Sequence, residues 1–187
     1  MKIVSIICFK WNPENPIKVS DAYNLDQFSY FQRGTIKECC LVFSRLFVSR
    51  TSPSTTIAID LSNQTEYSFL DNYIMYIDIN KDLFTKTIIT VKDYPKRLIY
   101  EILEQVKGNT DLDVLIKTYS NVKETDKILK IQNELDQTKK IMVKNIEQVL
   151  KRGEKIESLV EKSEELSRLG GIYIREAKKL NSCCLIL

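Results

Sequence analysis

From Ile128 to Leu180, one set of positions returns at alternating spacings of three and four. The set is Ile128, Ile131, Leu135, Thr138, Met142, Asn145, Val149, Arg152, Ile156, Leu159, Ser163, Leu166, Gly170, Tyr173, Ala177 and Leu180, and eleven of the sixteen are apolar. A heptad pattern sustained this long predicts a coiled-coil helix. At 1.5 Å per residue such a helix runs roughly 80 Å, too long to bury in a small domain. Lys and Glu dominate the other faces, as on a solvated coil. Arg152 breaks the seam between Val149 and Ile156. A guanidinium carries five donors and cannot shed its proton. Buried without partners it would cost several kcal/mol. It therefore either snorkels out of an ordinary coil or meets acceptors from other helices, such as Gln amide oxygens that fix register. Gly153, Gly170 and Gly171 each weaken a helix by roughly 1 kcal/mol relative to Ala. The segment is thus expected to order when partner helices bury its stripe. Self-association is disfavoured, because a four-copy bundle would stack four Arg charges in one layer.

The rest of the chain is a different polymer. All four Pro and 16 of the 17 aromatics precede residue 121, and Tyr173 is the exception. Residues 1–120 hold 14 basic and 14 acidic residues, so the net +3 of the chain resides in 121–187, with 14 basic against 11 acidic. Such a charge is too small to argue for nucleic acid. The expected organisation is an α+β domain over 1–120, a coiled-coil motif over 121–182 and a short tail over 183–187. Lys2–Lys10 and Ile17–Tyr23 read as a hairpin around the Asn12–Pro16 turn. Thr35–Arg50 reads as a helix with Ile36, Cys39, Cys40, Phe43, Leu46 and Phe47 on one stripe. Thr51–Gln64 reads mostly as loop. Three strands follow, at Glu66–Leu70, Asn72–Ile79 and Leu83–Val91. Asp93-Tyr94-Pro95 opens a helix whose apolar face is Leu98, Ile99, Ile102, Leu103 and Val106. Asn109 or Thr110 is expected to cap a last helix through Tyr119. The order suggests a meandering antiparallel sheet with helices on its faces. The Phe28–Phe31 cluster is expected to pack in the core.

Catalytic chemistry finds few materials here. There is no His in the sequence, which excludes Ser-His and Cys-His pairs and makes a zinc site improbable. P-loop, dinucleotide, nucleophile-elbow and kinase motifs are missing. A thiol enzyme built on Cys39 or Cys40 would lack a base. No run approaches 18 apolar residues, so no membrane span is predicted and the default is a cytosolic chain with free thiols. The ending Cys184-Leu185-Ile186-Leu187 fits C-a-a-X, with a terminal Leu that usually selects geranylgeranyl. Cys183 beside it is a second acylation site. One lipid binds a membrane marginally, whereas two signals anchor it stably. Arg175, Lys178 and Lys179 could each add about 1 kcal/mol on an anionic leaflet.

The run Glu147-Gln148-Val149-Leu150-Lys151-Arg152-Gly153-Glu154-Lys155-Ile156 resembles the centre of an R-SNARE motif, and Leu159–Leu166 continues it. Phe28–Thr51 and Asn72–Tyr76 resemble the longin domain of the prenylated, palmitoylated R-SNAREs, and Asn181-Ser182-Cys183-Cys184 resembles their tail. The resemblance implies a longin fold of five strands and three helices, followed by a SNARE helix. It implies membrane fusion in ER, Golgi, endosomal and vacuolar traffic, from a closed cytosolic pool and the cytoplasmic faces of those membranes. Arg152 becomes the zero-layer residue facing one Gln from each of three Q-SNARE helices, and the other fifteen seam positions become SNARE layers. Cys184 is the implied prenyl site, with geranylgeranyl or farnesyl, and Cys183 the palmitoyl site. Val42 and Phe43 match the groove-lining part of the first longin helix, on which the SNARE segment is expected to fold back, sheltering the lipid. The alternative is a longin-type adaptor or tether without fusion activity. Thr51–Asp71 is longer than the family pattern, and Gly170 is a soft layer near the anchor.

Overall fold

The computed structural model describes residues 3–62, 72–120, 141–161, 163, 166–168 and 170–171. β1 (Ile3–Lys10) is a run of β-branched and apolar residues, buried along all but its last position. That is the signature of a strand covered on both faces. It pairs antiparallel with β2 (Ile17–Tyr23), an edge strand that leaves Ile17 and Val19 exposed. Asn12 closes the connection, its Oδ1 accepting the N–H groups of Glu14 at 2.9 Å and Asn15 at 3.2 Å.

Helix α1 (Tyr30–Val48) begins after Ser29, whose N–H donates to Gln32 Oε1 at 3.2 Å. Its buried stripe is Ile36, Cys39, Cys40, Val42, Phe43, Phe47 and Val48. Trp11 holds its far end, with Nε1–H within 3.2 Å of Val48 O and 3.0 Å of Thr51 O. These bonds satisfy carbonyls that a helix terminus leaves open. The stripe matches the expected spacing, but Tyr30 and Phe31 do not join the core. They are 82% and 92% exposed and pack edge to face, with centroids 5.8 Å apart. Ser29 occupies the cap, so the next two residues turn away from the Ile36 face, while Phe28 packs against the core.

β3 (Thr56–Asp60), β4 (Tyr73–Ile79) and β5 (Phe84–Val91) complete an antiparallel meander, and these five strands lie in the order β2-β1-β5-β4-β3. β3 falls inside the stretch expected to be loop, and the strand expected at Glu66–Leu70 lies outside the described residues. Five residues between Ser/Thr-rich flanks gave too short a pattern to read. Pairing with β4 supplies the order, helped by Thr56 Oγ1–H on Asp78 Oδ1 at 2.6 Å.

α2 (Lys96–Gln105) and α3 (Leu112–Ser120) cover the sheet face opposite α1. Leu98, Ile99, Ile102, Leu103 and Val106 are all buried, as the pattern predicted. Lys86 is buried beneath this layer, its Nζ 3.1 Å from Asp78 Oδ2 and 2.6 Å from Leu103 O. A buried ammonium needs such partners. Asp111 caps α3, accepting from the N–H groups of Asp113 and Val114 at 3.1 and 3.2 Å, in place of Asn109 or Thr110. The five-stranded sheet with helices on both faces is the expected α+β longin architecture. The departure lies beyond it, where the described part of the heptad segment is not one continuous helix.

Candidate functional site

Residues 141–161 wrap around the free edge of β3. Ile141 packs beside α2 and α3, its N–H 3.3 Å from Tyr100 Oη. β6 (Met142–Asn145) then adds to the sheet, parallel to β3, with Met142 opposite Ile57 and Asn145 opposite Asp60. A single 3-10 turn (Ile146–Gln148) carries the chain to the α1 face, where Ile146 is buried. Helix α4 (Ile156–Glu161) lies against α1 and buries Ile156 and Val160. Ile146, Ile156 and Val160 belong to the same apolar cluster as Val42, Phe43 and Phe47, and Val149, Leu150 and Leu166 pack against it.

Between Ile146 and Ile156 the chain reverses in a tight turn. The N–H of Glu154 donates to Lys151 O at 3.0 Å, and Gly153 has φ of 84°. Glu154 fastens this turn to α1. The Arg50 guanidinium grips its carboxylate with two bonds of 2.9 Å, from Nε to Oε2 and Nη2 to Oε1. A fork of this kind is the strong form of an ion pair. Glu154 Oε2 also accepts the Lys151 N–H at 3.0 Å. The Arg50 bond holds the Glu154 carboxyl below the usual glutamate range. Further along, Ser167 donates to Glu38 Oε2 from its N–H at 3.0 Å and its hydroxyl at 2.8 Å.

The seam residues are divided by this arrangement. Ile156 is buried, Val149, Leu159, Ser163 and Leu166 are partly buried, and Gly170 is buried near Glu38. Met142, Asn145 and Arg152 face solvent, Met142 at 61% exposure. No hydrogen bond or ion pair joins Arg152 to another described residue. Ile128, Ile131, Leu135, Thr138, Tyr173, Ala177, Leu180, Cys183 and Cys184 lie outside the described residues. Conversely, Ile146 and Val160 are off the seam, and periodicity did not select them. Their signal was a surplus of apolar residues beside the stripe.

Val42 and Phe43 sit on α1 but look in two directions. Val42 lines a cleft of about 170 Å³ with Arg45, Leu46, Arg50, Leu159 and Ser163. Phe43 lines an apolar cavity of about 20 Å³ with Val4, Phe28, Ile36, Cys39 and Cys40. That volume suits about one water-sized group, not a lipid chain. Burial pushes the Cys39 thiol far up and Cys40 up to about 12. Thiols this buried are poor nucleophiles. Among the described residues no helix is long and apolar enough to cross a membrane.

A model of the Synaptobrevin family matches residues 127–186. Two relatives are similar over the whole length of both chains: the Synaptobrevin homolog ykt6 of Schizosaccharomyces pombe at 30% identity, and the VAMP-like protein YKT61 of Arabidopsis thaliana at 34%. The Synaptobrevin homolog YKT6 of Debaryomyces hansenii is also 34% identical, again over both full chains. A longin sheet followed by a synaptobrevin segment defines the class: a longin-domain R-SNARE, a vesicle-trafficking protein and not an enzyme. Within that class the chain belongs to the synaptobrevin family as a member of the Ykt6 type.

Proposed function

We propose that the chain drives fusion of intracellular membranes by zippering its 128–180 seam with three Q-SNARE helices, and that the folded-back arrangement holds it inactive. The observation that carries this reading is the state of residues 142–161. A strand bonded outward to β3, a tight turn and a six-residue helix occupy the stretch that must be straight helix in a zipper. One backbone cannot satisfy both bonding patterns, so fold-back and assembly exclude one another. Arg152, exposed in the closed form, enters the bundle as the zero layer and meets one Gln from each partner. Burial of the apolar layers, about 0.8 kcal/mol per CH₂, supplies the driving force. Cys184 carries the prenyl group and Cys183 the palmitoyl group. The working membranes are those of the ER, Golgi, endosomes and vacuole.

Kinetics of the full chain test the gate. With rising concentration of Q-SNARE helices, the assembly rate should level off at the rate of segment release. A rate that climbs in proportion throughout would exclude autoinhibition. Arg152→Ala and Arg152→Gln should each weaken pairing with Gln-bearing partners; unchanged assembly by both would remove the zero-layer role. Cys184→Ser should leave the protein soluble in its own cells, and persistent membrane attachment would refute the anchor.

A further inference from the structure

Gly153 has opposite consequences in the two states. In the folded-back form it is the third residue of the Lys151–Glu154 turn, at φ of 84°. That is the left-handed region, which L side chains disfavour. The turn lets Ile146 and Ile156 reach the same apolar cluster, and it presents Glu154 to Arg50. In a straight helix the same glycine is one of the poorest residues available. No atom lies within 4 Å of a Cβ built at this position, so a methyl group there meets open space and only the backbone angle decides.

We infer that Gly153 is a positioning residue for SNARE assembly: it favours the closed turn and disfavours the zipper helix, and so sets the balance between them. The inference deepens the folded-back reading above and rests on it. Alanine at 153 loses roughly 5- to 30-fold in the left-handed turn and gains about 4- to 5-fold in a helix. Both effects act in the same direction, so the product is about 20- to 150-fold in the balance between the folded-back form and the assembled helix.

Gly170 repeats the logic by a different route. A Cβ there would stand 2.6 Å from Glu38 Oε2 and 2.8 Å from Leu166 Cδ2. Glu38 Oε2 is the atom that accepts both Ser167 bonds. Both crowded atoms end flexible side chains, so Gly170→Ala should shift the balance only a few-fold. Two residues that weaken the zipper helix are therefore both used by the fold-back.

The test measures two quantities on the full chain: hydrogen exchange at the Met142–Asn145 amides, and the plateau rate of assembly with Q-SNARE helices. In Gly153→Ala, protection, which reads the loss of the turn alone, should fall about 5- to 30-fold, and the plateau rate should rise by up to the same factor. A variant that merely damages the fold would also lower the denaturant midpoint of the longin sheet, which Gly153→Ala should leave in place. Gly153→Asn, which tolerates the left-handed region and is a weaker helix former than Ala, should keep most of the protection. Wild-type protection that is unchanged in Gly153→Ala would overturn the assignment and leave the fold-back standing. Equal losses in the Ala and Asn variants would overturn the backbone-angle argument. Unprotected wild-type amides would overturn the fold-back and this assignment with it.

Discussion

The two faces of the longin sheet are closed by different means. On one face α2 and α3 bury Leu98, Ile99, Ile102, Leu112, Leu115 and Ile116 in a continuous layer pinned by Lys86 on the Leu103 carbonyl. On the other, α1 leaves room that residues 146–161 fill with three buried apolar side chains and a six-residue helix, reached by a four-residue strand at the sheet edge. The first layer uses helices whose amphipathic pattern has one solution. The second uses a segment whose heptad pattern predicts a continuous helix. Its seam residues Met142, Asn145 and Arg152 face water, and it is held by off-seam Ile146 and Val160 together with the seam residue Ile156. A layer with few dedicated contacts is drawn from the low-stability end of a fold, which is where a detachable element must lie.

The contrast breaks if the two layers respond alike to the same deletion. Ile102→Ala should cost about 2–5 kcal/mol of global stability, because it opens a cavity in the permanent layer. Denaturant midpoints should fall for every probe together. A loss confined to residues 141–161 would contradict the comparison.

Ile146→Ala removes the same atoms from the detachable layer and should cost about 2–4 kcal/mol, felt by that layer alone. Exchange at Met142–Asn145 should accelerate while the midpoint of the longin sheet holds. Because Ile146 lies off the seam, the finished SNARE bundle should keep its stability. A bundle destabilised as strongly as the closed form would show that Ile146 serves both states.

The elements of the longin sheet and its three helices were also the legible ones. The alternation of Tyr73, Met75, Ile77 and Ile79, the Leu98–Val106 stripe and the Ile36–Phe47 stripe each match one element, because burial on that face is their sole constraint. β3 was hidden because Thr56–Asp60 is short and owes its form to β4. β6 was hidden for a deeper reason. Met142 and Asn145 obey helical spacing, and the strand they form is imposed by the open edge of β3. On the proposed function one sequence carries two structures, and periodicity reports the more regular of them. At the site, Arg152 was visible as a seam anomaly. Its exposure, the Arg50–Glu154 fork and the role of Val160 depend on tertiary approach, which spacing does not encode.

The smallest expected effect sharpens the comparison most finely, because it concerns one ion pair in the detachable layer. Glu154→Gln keeps the shape and removes the charge, and should weaken closure by about 1 kcal/mol or less, given that the pair is partly open to solvent. The pH dependence follows from the lowered carboxyl of Glu154. A folded-state value below the unfolded one stabilises closure above the ordinary glutamate range. That contribution disappears as pH falls from the ordinary glutamate range through the lowered value. Closure should therefore be flat near neutrality and loosen in acid, and in Glu154→Gln this part of the acid response should vanish. High salt should mimic the substitution in the wild type and add little in the variant. The α2–α3 layer does not contain this pair, so its stability should not follow the Glu154 substitution. A matching shift in both layers would mean that the clasp acts on the whole domain, and that the two faces are less separate than their construction indicates.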